Sequence, residues 1–295
     1  MSDFVLSCCS ICDLTVEHLQ KRSIPFAYFH YSLDGKEYTD DMGHTLSLED
    51  FYHKMEEGAD TRTAQINVEE YTRYFTPFLE QGLDVLHVTL SSGLSGSYNS
   101  ARIAAELLGE KFPERKLYIV DSLGASSGVG LIMETLADMR DAGMGIDELH
   151  DWIQEHRLEM QYWFCSTDLT FYVKGGRVTK AAGWFGTVLK ICPVLNVDNQ
   201  GRLIPRFKIR GKQTALKELA NQMVEHAAKG TAYNGKVFIS HSACLQDAEL
   251  VAHEIEKRFP NLQEPVKIFN IGPTVGSHSG PGTVALFFWG DKREN

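Results

Sequence analysis

The 295-residue chain contains no uninterrupted apolar run near the roughly 18 residues that a membrane-spanning helix needs, so no stable membrane insertion is expected. No basic residue precedes Lys21, and Asp3 stands near the start. The charged opening of a secretory leader is therefore missing, and a cytoplasmic location is expected. Positive charge is also in short supply. Lys and Arg number 29 against 39 Asp and Glu, a net charge of −10, which argues against nucleic acid or an anionic membrane as main partner. Cysteine is sparse. Cys8, Cys9 and Cys12 cluster, whereas Cys165, Cys192 and Cys244 are scattered, and a long chain without a leader does not call for a disulfide framework. Repeats, low-complexity tracts and long charge runs are absent.

Several enzyme signatures fail on spacing. His253-Glu254 is followed by Lys257 where a zinc-binding helix would place its second histidine. Gly235-Lys236 looks like the end of a P-loop, but Val237 replaces the Mg²⁺-ligating hydroxyl and a strand follows. Gly93-Leu-Ser95-Gly-Ser97 lacks the second glycine of a nucleophile elbow. Cys9-Ser-Ile-Cys12 has redox-pair spacing, yet buried inert thiols at a strand end are the plainer account. No metal and no cofactor are expected.

What remains is ordinary globular composition, 43% hydrophobic and 23% charged, long enough for two domains. In the first half, strands at 4–7, 25–31, 84–90 and 116–121 alternate with helices at 16–22, 47–57, 67–81, 98–108 and 126–140. That alternation predicts βαβ units and a parallel sheet. Ser47-Leu-Glu-Asp50 and Asn67-Val-Glu-Glu70 read as helix starts. In the second half, strands are expected at 162–166, 192–197, 203–208, 236–240, 266–270 and 283–289. Helices at 212–228 and 246–258 interrupt them. Asn199-Gln-Gly201 sits at hairpin spacing, so mostly antiparallel pairing is expected there. The fold class is thus a parallel-sheet α/β domain, 1–155, followed by an α+β domain, 156–295, with the boundary within 147–160.

Four segments carry candidate chemistry. Thr89-Leu-Ser-Ser-Gly-Leu-Ser-Gly-Ser97 leaves a predicted parallel strand and enters a helix, where open α/β sheets bind ligands. Ser91, Ser92 and Ser95 add hydroxyl donors to the helix start, although a plain serine-capped turn would look similar. Thr61-Arg-Thr63-Ala-Gln65 reads as a polar loop between two helices. Gly272 to Gly282, with His278 near its centre, reads as a shaped loop before a strand. Lys174-Gly-Gly-Arg177 is a charged turn leading into the apolar stretch 181–189, read as a cavity wall with Arg177 at its polar mouth.

Together these segments resemble the DegV family. Cys9-Ser-Ile-Cys-Asp13-Leu is similar to its D-S-T-x-D-L, Thr63-Ala-Gln65 to T-S-Q, and Ser91-Ser-Gly-Leu-Ser-Gly-Ser-Tyr98 to S-S-G-L-S-G-T-Y. Val120-Asp-Ser-Leu-Gly-Ala-Ser126 resembles V-D-S-x-x-A-S, and Gly175-Gly-Arg177 and His278-Ser-Gly-Pro-Gly282 match G-G-R and H-T-G-P-G. The main departure is Cys9, where the family has Asp. The resemblance implies one long-chain fatty acid held between the domains, with Thr63, Ser92 and His278 near its carboxylate and Arg177 in support. It also implies a binding protein without chemistry of its own, whose partner is a separate ATP-dependent fatty acid kinase. A serine acyl hydrolase using Ser92 or Ser95 with His278, or a phosphotransferase of related fold, is the alternative. Lys208, Arg210 and Lys212 form a basic cluster in an acidic chain, which reads either as a solvated helix entry or, with the partner that the resemblance implies, as a docking patch near the ligand mouth.

Overall fold

The computed structural model describes residues 4–179 and 191–294. The first half runs β1 (Phe4–Cys9), α1 (Val16–Lys21), β2 (Phe26–Ala27), β3 (His30–Leu33), β4 (Lys36–Thr39), α2 (Leu48–Glu56) and β5 (Thr61–Ala64). It continues with α3 (Val68–Glu80), β6 (Asp84–Thr89), α4 (Ser97–Lys111), β7 (Leu117–Asp121), α5 (Ser126–Asp141) and α6 (Ile146–His156). The second half adds β8 (Met160–Cys165), α7 (Thr170–Lys174), β9 (Ile191–Val197), β10 (Leu203–Arg210), α8 (Lys212–His226) and β11 (Phe238–His241). It ends with α9 (Leu245–Arg258), β12 (Lys267–Asn270), α10 (Pro273–Ser279) and β13 (Val284–Trp289).

Local chemistry sets the helix starts. Asn67 accepts the Glu70 N–H at 3.0 Å while Glu70 accepts the Asn67 N–H at 2.8 Å, a reciprocal cap for α3. Ser47 accepts the Asp50 N–H at 3.0 Å and caps α2.

Three sheets result. A parallel sheet has the order β2-β1-β6-β7. A small antiparallel sheet, β4-β3-β5, packs Tyr31 and Leu33 against Phe51, Tyr52 and Met55 of α2. The second half forms the sheet β10-β9-β8-β13-β11-β12, antiparallel except for the β11–β12 pair. The chain thus has a parallel-sheet N-terminal region and a mostly antiparallel C-terminal region.

α5 joins them. It is buried along most of its length and packs on β1 from one side and on β8, β11 and β13 from the other. Its first turns carry small residues because there is no room for others. A Cβ on Gly128 would sit 2.2 Å from Tyr162 Cε1, and one on Gly130 would sit 2.7 Å from the Cys12 carbonyl oxygen. One apolar cluster therefore runs from Leu6 and Val85 through Ile132 to Phe238 and Phe287.

Four segments differ from their sequence reading. The expected strand 25–31 is split. Phe26–Ala27 pairs with β1, the chain swings out at half-exposed Tyr28, and His30–Leu33 joins the small sheet. The run is aromatic throughout, so nothing in its pattern marks the break. The polar stretch 61–65 is not a loop: Thr61–Ala64 is strand β5, paired with β3, as β-branched threonines favour. The glycine-rich segment 272–282 contains helix α10, with Pro273 in its first turn. The segment 147–160, read from sequence only as a boundary, is largely helix α6, with an apolar stripe of Ile146, Leu149 and Ile153.

Candidate functional site

Against one face of the six-stranded sheet, bordered by β5, α10 and the serine loop, lies a cavity of about 360 Å³. Phe29, Leu90, Tyr162, Phe164, Val197, Leu203 and Phe287 are among its apolar lining residues. Thr63, Gln65, Ser95, Arg177 and His278 supply polar groups to its wall, drawn from four different segments.

Each segment is fixed by its own local chemistry. The serine loop is held from below: Ser91 Oγ donates to the Gly201 carbonyl at 2.9 Å and accepts the Gly93 N–H at 3.1 Å. A Cβ on Gly201 would sit 2.0 Å from Ser91 Oγ, so the hairpin between β9 and β10 needs glycine there. Ser95 Oγ accepts the Ser97 N–H at 3.2 Å and opens α4. A Cβ on Gly96 would sit 2.3 Å from Gln65 Oε1, so the second glycine of the loop lets Gln65 approach.

Thr63 Oγ1 lies 2.7 Å from His278 Nε2 and joins β5 to α10. His278 Nδ1 is buried without a partner, and a Cβ on Gly175 would sit 2.1 Å from it. The Gly175-Gly176 turn therefore leaves room for the imidazole ring. Burial lowers the His278 pKa to about 4 and the nearby Arg177 charge adds to the fall, so the ring is neutral at neutral pH. A bare Nδ1 lone pair costs less than a bare N–H. We therefore assign the ring proton to Nε2, which donates to Thr63 and leaves the threonine hydroxyl proton uncommitted to the ring. Arg177 donates from Nε to the Leu94 carbonyl at 3.1 Å and from Nη1 to the Gly175 carbonyl at 2.5 Å. It thereby ties its own turn to the serine loop.

The other expected residues lie elsewhere. Ser91 is buried in the loop tie just described, and Ser92 is exposed, outside the cavity lining, with its N–H donated to Asp121 Oδ1 at 3.1 Å. Among the described residues, no serine oxygen is hydrogen-bonded to His278, and no carboxylate orients its Nδ1. Lys212 forms an ion pair with Asp247, linking α8 to α9. Arg210 is exposed at the end of β10 opposite Leu203, the residue of that strand that reaches the cavity. The apolar stretch 181–189 lies outside the described residues.

One buried network escaped the sequence reading. Cys9 Sγ lies 3.3 Å from Tyr71 Oη and 3.4 Å from His87 Nε2, and His87 Nδ1 lies 2.6 Å from Ser7 Oγ. Burial raises the Cys9 pKa to about 12, with the Tyr71 hydrogen bond opposing the rise, and lowers His87 to about 3. Both groups are neutral, so a thiol fills this site without an uncompensated charge. Tyr71 Oη lies 2.8 Å from Ser97 Oγ, which links the network to the start of α4 beside the serine loop. The alternation His87-Val88-Thr89 within one strand was the available signal, and a lone histidine among apolar residues did not reveal its partners.

Fold and cavity define a class: an α/β protein with a largely apolar cavity whose polar groups come from both halves of the chain. The family profile described as "Uncharacterised protein, DegV family" matches residues 9–291, and the chain belongs to that family. It is 34% identical over 294 residues to a DegV domain-containing protein of Clostridium perfringens, covering 100% of both chains. It is 31% identical over 240 residues to a fatty acid-binding protein of Thermotoga maritima, covering 80% of each. The crystal structure of a DegV lipid binding protein from the same organism superposes with a TM-score of 0.83 at 26% identity over 100% of both chains.

Proposed function

We propose that the protein binds one long-chain fatty acid in the cavity and presents its carboxylate to a separate ATP-dependent kinase for acyl phosphate formation. The observation that carries this reading is the pairing of an apolar cavity with uncharged donors at its polar wall, Thr63 and Ser95, beside neutral His278. A tail of about 14 methylenes at ~0.8 kcal/mol each offers roughly 11 kcal/mol at most, and only enclosure collects it. The carboxylate needs donors once buried. Hydroxyls provide them without neutralising its oxygens, which stay nucleophilic toward a phosphoryl group. Arg177 spends its hydrogen bonds on backbone carbonyls and contributes charge from behind. The fatty acid-binding relative and the family motifs support the ligand; the family motifs support the kinase.

Lipid extraction with mass spectrometry of protein made in cells tests the ligand. The expected result is a free fatty acid of roughly 14–18 carbons. Recovery of water-soluble metabolites alone, with no lipid-induced rise in Tm, would remove the reading. For the kinase, Lys208 and Arg210 on β10 and Lys212 at the start of α8 are read as the docking patch, with Arg210 exposed and Lys212 also ion-paired with Asp247. Charge reversal at Lys208 and Arg210 should slow acyl phosphate formation through association while lipid binding stays intact. Unchanged turnover at low salt would discard the patch.

A further inference from the structure

Away from the polar groups around Thr63 and His278, two acids sit where the proposed function makes no use of them. Asp13 lies in the turn after β1 and Asp40 just past β4, and they are 6% and 1% exposed. Both reach the first turn of α10. Asp13 Oδ1 accepts the Gly272 N–H at 2.8 Å and Oδ2 accepts the Ser126 hydroxyl, while Asp40 Oδ2 accepts the Thr274 N–H at 3.1 Å. They crowd one glycine: a Cβ on Gly272 would sit 3.1 Å from Asp13 Oδ1 and 3.6 and 3.7 Å from the two Asp40 oxygens. Among the described residues no lysine, arginine or histidine pairs with either carboxyl.

The surroundings offer no compensation. Tyr52 faces the pair from α2 and donates to the Ile271 carbonyl at 2.8 Å; Asp41 faces it from the turn after β4; Cys244 faces Tyr52 from the segment before α9. A surface groove of about 630 Å³, with Glu17 and exposed His44 on its lips, reaches Asp13 and Gly272 and gives protons a route from solvent.

We propose that Asp13 and Asp40 share a proton and act as positioning residues for α10, so that binding an anionic guest near His278 takes up a proton at the opposite end of that helix. The inference rests on the reading that the cavity holds a carboxylate. Two like charges around one buried peptide group cannot both ionise cheaply. Burial raises Asp13 to about 8 against its Ser126 and Gly272 donors, Asp40 adds to the rise, and burial raises Asp40 as well. α10 carries Thr274, Val275, His278 and Ser279 on the cavity wall, and its seven residues span about 10 Å. An anion at the His278 end makes a second negative charge at the Asp13 end more costly. By reciprocity, losing the shared proton weakens the guest.

Calorimetric titration with decanoate below its micellar range, from pH 7 to 9.5 in buffers of different ionisation heat, tests this. The parent protein should take up a proton near pH 8 and lose roughly tenfold in affinity across the range. Asp13→Asn, whatever its affinity at pH 7, should show neither the loss across the range nor the uptake. A flat parent profile, or a variant that tracks the parent, would overturn the proposal. If decanoate binds at no pH, the fatty acid reading is judged by the lipid extraction above and ligand-free protein decides the acid pair. There the folded state holds a proton that the unfolded chain has shed, so parent stability should fall relative to Asp13→Asn as pH rises from about 4 to 8, then level off. Coincident melting curves would sink the acid pair. Asp40→Asn, judged by the same outcomes, serves if Asp13→Asn does not fold.

Discussion

The two faces of the six-stranded sheet carry similar residues and serve different ends. On one face Trp163, Val194, Leu286 and Phe288 pack against Leu219 and Met223 of α8 and Val251 and Ile255 of α9. On the other, Tyr162, Phe164, Ala285 and Phe287 alternate with them along the same strands and line the cavity. The difference lies in what stands opposite. α8 and α9 lay apolar stripes on the first face, whereas α5 turns glycine and serine toward the second. Alternation sorts side chains between faces; it does not decide whether a face closes on protein or on a guest.

The comparison can be tested from its strongest consequence downward. Leu286→Ala empties a filled face and should cost about 2–5 kcal/mol in denaturant unfolding, with fatty acid affinity unchanged in the folded fraction. An equal loss of affinity would mean the faces are not independent. Thr63→Ala combined with Ser95→Ala should weaken fatty acid binding by about 2–4 kcal/mol, at 1–3 kcal/mol for each partner lost to a charged group. Ser92→Ala should leave binding as it is, and parent-like binding by the double variant would move the head group elsewhere. Phe287→Ala, on the cavity face, should cost roughly 1–2 kcal/mol of stability, below the usual range for Phe→Ala because part of its surroundings is already open. It should also admit bulkier acyl chains in competition assays. A cost equal to that of Leu286→Ala would erase the distinction.

The smallest expected effect concerns the clamp that holds α5 over the cavity face. Glu134 of α5 meets His18 Nε2 at 2.8 Å and Lys236 Nζ at 2.9 Å. Burial alone would raise its carboxyl; the His18 and Lys236 hydrogen bonds and the Lys236 and Arg22 charges outweigh burial and hold it at about 2. A depressed acid contributes stability above its unfolded value near 4.5 and loses it as pH falls toward the folded value. Glu134→Gln should therefore lower stability by about 1 kcal/mol at pH 7. The gap to the parent should close between about pH 4.5 and 2. A gap independent of pH over that window would show that the charge is not what holds α5.

Much of this architecture could be read from the chain because its signals are local. The caps at Ser47 and Asn67, the hairpin at Asn199-Gln-Gly201 and the βαβ alternation each depend on a few neighbouring residues. The motif resemblance singled out Thr63, Ser92, Arg177 and His278; the fold brings Thr63, Arg177 and His278 to one cavity, with Ser95 of the serine loop there in place of Ser92. The misreadings have the opposite character. β5 has no apolar face of its own and becomes a strand only because β3 offers an edge. Ser91 and Ser92 are adjacent in a serine-rich loop, and only the hairpin turn packed beneath them makes one a buried tie and the other a surface residue. The ion pair of Lys212 with Asp247, 35 positions away, leaves no mark in the local basic cluster. Asp13 stood in a recognised motif, but Asp40 did not, and their meeting at Gly272 depends on long-range packing.

The place of β13 has a consequence for how the protein is made. Of all the strands described, it is the last to leave the ribosome, yet it lies between β8 and β11 in the middle of its sheet. Until it arrives, β8 and β11 have an open gap between them, and Ala285 and Phe287 are missing from the cavity wall. Pairings this distant in sequence slow folding and leave sheet edges exposed in the meantime. The cavity wall on this sheet is therefore complete only once β13 has been inserted between strands that were made long before it.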